Sequence, residues 1–413
     1  MALLTNPILP GFHPDPSCII VPDFNHTVFC ASSSFSVFPG IPIHASSDLD
    51  EWRLISNAVS RPSQLPDLAI TNKSTSGIWA PTIRYHDGAF FVLSTLVFDD
   101  QPITNTSRWD NFILTTTNPF DSSSWTDPVH FEVEGYDVSP FWDEDGSSYV
   151  PGIRLASLDL STGSVGESKT LWNGTGGLAP EGPHIYRKDG WYYLMIAEGG
   201  TGLNHEVTIA RSRSLDGPYI PDPANPILTQ ANTTSYFQTV GHADVFQDQH
   251  GLWWGVALAT RSGPEYQTYP MGRETVLASV EWSDGGWPVW QNVTGAFRRQ
   301  PSVGDRGPAP GQGPLISAPD HLDFAPGTAL PPQLVHWRLP ICQNYVVSPP
   351  GHPYTLEITG SRLNLTGLDG NYAGPQGQTF IARRQTDSFF VFSVDVIANL
   401  IGEEHEVGVS VLN

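Results

Sequence analysis

Three carboxylates, an imidazole and an indole occupy one recurring place along this chain. Asp15, Trp79, Asp137, Glu181 and His242 each stand nine residues ahead of a turn centre, at Phe24, Gly88, Gly146, Gly190 and Gly251. Carboxylates gathered at close range raise one another's pKa, so a cluster of three needs a metal ion or a use for a raised pKa. A dedicated calcium cage draws its ligands at short spacing from one loop, whereas Asp15 and Glu181 are 166 residues apart. General acid/base chemistry is the better fit. One carboxyl group would give a proton near neutral pH, and another, ionised, would take one. Cleavage of a glycosidic bond is a reaction with that requirement.

The elements that must bring these residues together are hairpins. "WAPTIRYHDGAFFVLST", "DVSPFWDEDG", "EGPHIYRKDGWYYLMIA" and "HADVFQDQHGLWWGVALA" each read as a short apolar strand, a turn ending in Gly and an aromatic-rich second strand. Asp-Gly supplies the positive φ that a tight hairpin turn requires. The unit "DPSCIIVPDFNHTVFCASS" matches the pattern without the Gly. Five units at intervals of about 45 to 65 residues suit the blades of a propeller. In that architecture residues at one place on the innermost strands converge at one end of the central axis. Five unrelated strand starts are the bland alternative.

The motifs "NPILPGFHPDPSC", "SSSFSVFPGIPIHASSDLDEW", "GIWAPTIRYHDGAFF", "YDVSPFWDEDG", "APEGPHIYRKDGWYYLMIAEGGT", "GHADVFQDQHGLWWGVAL" and "MGRETVLASVEW" resemble glycoside hydrolase family 43, above all its two-domain β-xylosidase branch. The resemblance covers about residues 5 to 300. It implies an all-β fold, a five-bladed β-propeller followed by a β-sandwich, and an inverting enzyme acting on xylose- and arabinose-containing saccharides. It implies Asp15 as general base, Glu181 as general acid, and Asp137 as the carboxylate that orients the acid and raises its pKa. Arg273 then matches a substrate-binding arginine, and Phe35 and Trp79 match residues shaping a small sugar pocket. His242 matches an axial histidine near which many members hold a calcium ion or a water. No cofactor is implied for the chemistry itself, and a structural calcium reached through water is the expectation at His242.

The expected activity is removal of terminal xylose from β-1,4-linked xylo-oligosaccharides. α-L-Arabinofuranosidase action on arabinoxylan is the alternative within the class, and a non-catalytic carbohydrate-binding propeller is the alternative outside it. Plainer roles are open to the same residues. Asp15 could be a plain Pro-Asp-Pro turn, Asp137 a backbone cap, and Arg273 a partner of Glu274. Trp79 and Phe35 could be core aromatics. Glu198 is a rival to Glu181, because a regular two-residue turn at 189–190 sets the two opposite each other.

The remaining composition narrows the partners. Net charge is −22 with only 15% charged residues, which gives nucleic-acid binding no electrostatic support. No apolar run is long enough to span a bilayer. The 39 glycines and 37 prolines favour many short strands over helical bundles. Sequons at Asn25, Asn72, Asn105, Asn173, Asn232, Asn292 and Asn364 point to a secreted glycoprotein. The start "MALLTNPILPG" is too short and polar for a signal peptide, so either a leader has been removed or the protein is intracellular. Three cysteines make no disulfide framework. Cys18 and Cys30 lie equally far from residue 24, where either a disulfide or two buried thiols would fit. The expected domains are a propeller over 1–300, a Pro/Gly-rich linker over 301–318 and an incomplete β-sandwich over 319–413.

Overall fold

Turn chemistry organises the observed strands. In the computed structural model, which describes residues 3–151, 153–261, 268–298, 307–363, 377–403 and 405–411, Asp87-Gly88 and Asp189-Gly190 both take positive φ. They close tight hairpins in which His86 pairs with Ala89 and Lys188 with Trp191. The unit that lacks the Gly uses Asn25 and His26, both left-handed, for the same purpose. Apart from short 3-10 turns, the described regular structure is all β.

Among the described residues there are five antiparallel sheets of four or five strands. The first comprises Ser17–Val21, Thr27–Ala31, Gly40–Ser46 and Arg53–Val59. The second comprises Gly77–His86, Ala89–Val97, Trp109–Thr116 and Val129–Phe131. The third, of shorter strands, runs from Phe141–Trp142 to Lys169–Thr170. The fourth contains Glu181–Lys188, Trp191–Glu198 and Glu206–Ser212, and the fifth Phe237–Gln247, Trp253–Arg261 and Glu274–Glu281.

Apolar burial lies between sheets. Ile43 and Phe29 of the first sheet share a cluster with Phe90 and Phe112 of the second. Leu93 and Ile113 join the second to Val150 of the third. Leu155 joins the third to Leu194 of the fourth, and Met195 joins the fourth to Ala257 of the fifth. Cys30 and Trp52 close the cycle, packing with Trp254 and Val256 of the fifth sheet. Burying each such large side chain contributes about 1.5–3 kcal/mol. Leu3–Thr5 pairs with Ala296–Arg298, and the Asn6 side chain bonds the backbone of Leu277 from both its ends. Cys18 and Cys30 sit opposite each other and form a disulfide.

The expected linker is no free tether in its described part. Arg53 Nε donates to the Ala309 carbonyl at 2.9 Å, and Ile316 N donates to the Trp52 carbonyl at 2.8 Å. Further on, Leu334–Trp337 pairs with Val37–Phe38 on one side and Ala382–Arg383 on the other. Trp337 Nε1 also donates to Ser36 Oγ at 3.1 Å, and the Arg338 N–H to the Ser36 carbonyl at 2.6 Å. The alternating segment "SFFVFSVDVIANL", expected as a sandwich strand, forms no ladder. Its Phe389, Val391 and Ile397 are almost fully exposed, because no described strand lies alongside to pair with it. Of the seven sequons, six have an exposed or half-exposed Asn; Asn364 lies outside the described residues.

Candidate active site

The backbone kinks within, or just ahead of, the first strand of each sheet. Asp15, Ala80, Asp137, Gly182 and His242 all adopt left-handed φ, between 30° and 60°. Bulges accompany these kinks between Trp79 and Thr82, between Glu181 and His184, and around Gly241. A bulge re-aims side chains that the plain pleat would send elsewhere. A Cβ on Gly182 would stand only 3.0 Å from the His242 ring, so glycine lets the strand carrying Glu181 approach His242.

Asp15 is buried and fully engaged. Its Oδ2 accepts from Ser33 Oγ at 2.6 Å, and its Oδ1 accepts from Arg273 Nη1 at 3.2 Å. Ser33 Oγ in turn accepts the Ala80 N–H at 2.6 Å, tying the first sheet to the second. Burial pushes the Asp15 carboxyl up, but Arg273, His242 and Ser33 together hold it below its ordinary value. The group stays ionised.

Asp137 and Glu181 go the other way. Asp137 is raised to about 8, chiefly by burial, with Glu181 and Asp15 adding to the effect and His242 and the Gly182 N–H opposing it. That N–H donates to Asp137 Oδ2 at 3.0 Å, so Asp137 grips the backbone immediately after Glu181. Glu181 is raised by burial and by Asp15, against His242, Tyr136 and Arg273. His242 Nδ1 lies 3.9 Å from both Asp15 Oδ1 and Asp137 Oδ2. Burial disfavours its charged form, yet the three carboxylates leave its pKa raised.

Aromatic rings wall this cluster. The Arg273 guanidinium lies 5.1 Å from the Phe35 ring centre and 5.8 Å from that of Phe12. Phe35 is 5.9 Å from Trp79, which meets Tyr136 edge-on at 5.5 Å. Tyr136 stacks on Trp109 at 5.0 Å and donates its hydroxyl to Glu181 Oε2 at 3.1 Å. All seven residues singled out in the sequence therefore meet in one site. Sequence reasoning missed Phe12, Ser33, Trp109 and Tyr136. Of these, Phe12, Ser33 and Tyr136 lie within the motifs NPILPGFHPDPSC, SSSFSVFPG and YDVSP, a signal that could have found them; Trp109 carries none.

Glu198 is not opposite Glu181. The bulge shifts the register so that Glu181 faces Ala197, and Glu198 faces Glu206. Its carboxylate accepts the N–H groups of Thr175 and Gly177 and the hydroxyl of Thr208, which is a loop-anchoring role. Glu274 pairs with Arg261, leaving Arg273 to Asp15. Among the described residues no group of three or more His, Cys, Asp or Glu is arranged to hold a metal ion. The Arg273 guanidinium supplies positive charge beside Asp15. Farther along the first strands of four sheets a second polar knot forms: the buried Asp244 accepts from Arg84 at 2.7 Å, Ser17 at 2.7 Å and Tyr186 at 2.7 Å.

The family model described as glycosyl hydrolases family 43 matches residues 4–288. The chain belongs to this family. Within family 43 it is 41% identical over 294 residues to a non-reducing end alpha-L-arabinofuranosidase of Bacteroides ovatus, a match covering 68% of this chain and 52% of that protein. It is 36% identical over 414 residues to a putative beta-xylosidase of Escherichia coli, covering 93% of this chain and 73% of the other. The chain thus spans about half the length of the first relative. A family 43 crystal structure from Bacillus licheniformis superposes with a TM-score of 0.79 at 33% identity, over 94% of this chain and 72% of that one. Family 43 neighbours of this kind are β-propellers, in keeping with the all-β architecture here.

Proposed function

We propose that this family 43 chain is an inverting exo-glycosidase that releases single xylose residues from the non-reducing ends of β-1,4-xylo-oligosaccharides. The observation that carries the reading is electrostatic. Asp15, accepting from Ser33 at 2.6 Å and from Arg273 at 3.2 Å, is held ionised, while Glu181, met by the Tyr136 hydroxyl at 3.1 Å, is pushed toward its protonated form, and both interact with His242. In this reading a water oxygen bonds to the anomeric carbon as the bond to the leaving oxygen breaks. Asp15 takes the water's proton and Glu181 gives its own to the leaving oxygen. Inverting enzymes hold the two carboxyl groups about 6.5 to 9.5 Å apart to admit that water. Asp137 orients the acid through the Gly182 backbone, and Arg273, Phe35 and Trp79 hold the sugar.

Terminal α-L-arabinofuranose on arabinoxylan is the second reading, favoured by the arabinofuranosidase among the relatives. The five sheets are taken as five blades, a reading supported by core clusters that join them in a closed cycle. The segment from 319 is taken as part of a β-sandwich, after a linker over 301–318. Secretion as a glycoprotein is proposed from the sequons, six of which have an accessible Asn.

The test is a pair of variants. Asp15→Ala should abolish turnover of xylobiose, 4-nitrophenyl β-xyloside and 4-nitrophenyl α-L-arabinofuranoside alike. Glu181→Ala should lose most on xylobiose and least on the aryl glycosides, whose leaving groups need little protonation. Near-wild-type activity of both variants on xylobiose, or a retained anomer as first product by proton NMR, sinks the proposal.

A further inference from the structure

We propose that Tyr136 is a positioning residue that directs the transferable proton of Glu181 to a single carboxyl oxygen, Oε1. The inference rests on the reading of Glu181 as the general acid. The Tyr136 hydroxyl lies 3.1 Å from Glu181 Oε2 and has no other acceptor among the described residues. Its hydrogen therefore points at Oε2. The reverse arrangement, with Oε2–H donating to the phenol oxygen, would leave the phenol's own hydrogen without an acceptor among the described residues, so the proton of the neutral acid resides on Oε1.

The ring that carries this hydroxyl is held from two sides. Trp109 stacks on it with an interplanar angle of 29°, and Trp79 meets it edge-on at 87°. Trp109 is itself covered by the Arg108 guanidinium, 4.8 Å from its ring centre, and Arg108 is paired with Asp99. Trp79 is fixed by its own Nε1–H, which donates to the Thr75 carbonyl at 2.8 Å. A phenol so confined keeps its proton, because burial and the neighbouring Glu181 and Asp137 push its pKa far up. It stays a donor throughout the cycle.

The consequence for chemistry is directional. When Glu181 surrenders its proton through Oε1, the bond at Oε2 changes from neutral to charge-assisted and strengthens. Tyr136 therefore stabilises the carboxylate as it forms. The other groups bearing on Glu181 are His242 and Arg273 from the fifth sheet, Asp15 from the head of the first and Asp137 from the head of the third. His242 and Arg273 also favour the ionised form; Asp15 and Asp137 oppose it. These four act on Glu181 through charge, whereas Tyr136 acts through a directed bond to one oxygen. A bond of that kind is what distinguishes Oε2 from Oε1.

Tyr136→Phe keeps the ring stack and removes the hydroxyl. On xylobiose kcat should fall roughly fivefold to tenfold, the difference between a charged and a neutral hydrogen bond. The loss should be smaller on 4-nitrophenyl β-xyloside, and KM should change little. The alkaline limb of the kcat/KM profile should move to higher pH by about half to one unit, because the ionised acid has lost a donor. A rate loss with an unmoved alkaline limb, equal on both substrates, would mean that Tyr136 only packs the wall, and the proposal would be wrong. Should Tyr136→Phe fail to fold, Trp109→Leu keeps the hydroxyl but frees the ring. It should shift the limb the same way by less, and no shift overturns the proposal. Glu181→Ala measured alongside separates the two ideas. If it spares xylobiose, the acid assignment fails; if it selectively destroys that activity while Tyr136→Phe leaves the limb in place, only the role of Tyr136 fails.

Discussion

Ser33 offers the sharpest quantitative handle on the proposed base. Its hydroxyl donates to Asp15 Oδ2 at 2.6 Å and accepts the Ala80 N–H at 2.6 Å, both in buried surroundings. Ser33→Ala removes a hydrogen bond to a charged group, worth about 1.5–3 kcal/mol. Water entering the vacated space would restore part of that, leaving a net loss of about 1.4 kcal/mol, which is one pKa unit. The lost bond favoured the carboxylate, so the Asp15 pKa rises. The Arg273 contact at 3.2 Å remains, so the carboxyl stays below the range of an unpaired buried acid. The acid limb of kcat/KM for 4-nitrophenyl β-xyloside should therefore move up by about one unit, with activity on the acid side falling about tenfold and the plateau changing far less. The orphaned Ala80 N–H should also lower stability by about 1–3 kcal/mol, readable as a shift in the urea midpoint. An acid limb that stays in place, in a folded variant with the expected stability loss, would refute Asp15 as the group that limb reports.

Two further outcomes follow from the packing. Arg84→Met strands the buried Asp244 without its cation and should cost about 3–5 kcal/mol in urea unfolding at neutral pH. In the wild type Asp244 is held far below its ordinary pKa by Arg84, His184 and Ser17, despite burial. Its contribution is thus present above the unfolded value of about 4 and fades only as pH falls below it. In the variant the sign reverses, and mild acid should recover part of the loss; a variant insensitive to pH would contradict this. Reduction of the Cys18–Cys30 disulfide, which closes a sequence separation of 12, should lower stability by about 2–3 kcal/mol. An unchanged urea midpoint with dithiothreitol would show that the cross-link contributes nothing.

The nine-residue interval was legible because turns are local. Asp-Gly at 87–88 and 189–190 dictates the hairpin whatever surrounds it, and Asn25-His26 does the same work without glycine. What the interval hides is a one-residue offset. The left-handed kink falls on Asp15, Asp137 and His242 but on Ala80 and Gly182, the residues after Trp79 and Glu181. That offset moved Glu198 out of register with Glu181, and no pattern of residue types announces a bulge. Ser33 stands inside the SSSFSVFPG motif, but its role was not readable there, since it depends on Ala80, 47 residues away. Tyr136 likewise acquires a role only when Glu181 arrives 45 residues later. At the other extreme, the alternation of 388–400 reads as a strand but forms no ladder. A strand needs a neighbour as well as a pattern, and none lies beside it among the described residues.

The pairing of Leu334–Trp337 against Val37–Phe38 has a bearing on how the proposed site could be divided. Phe35, beside the Arg273 guanidinium, is bonded to Ile78 on one flank, and its neighbour Ser36 is clasped by Trp337 and Arg338 on the other. The Phe35 side of the proposed site therefore borrows its firmness from chain lying about three hundred positions downstream. Proteolytic nicking between the two halves should loosen the Phe35 wall before it disturbs Asp15 and Glu181, so under the proposed function selectivity and turnover would decay on separate clocks.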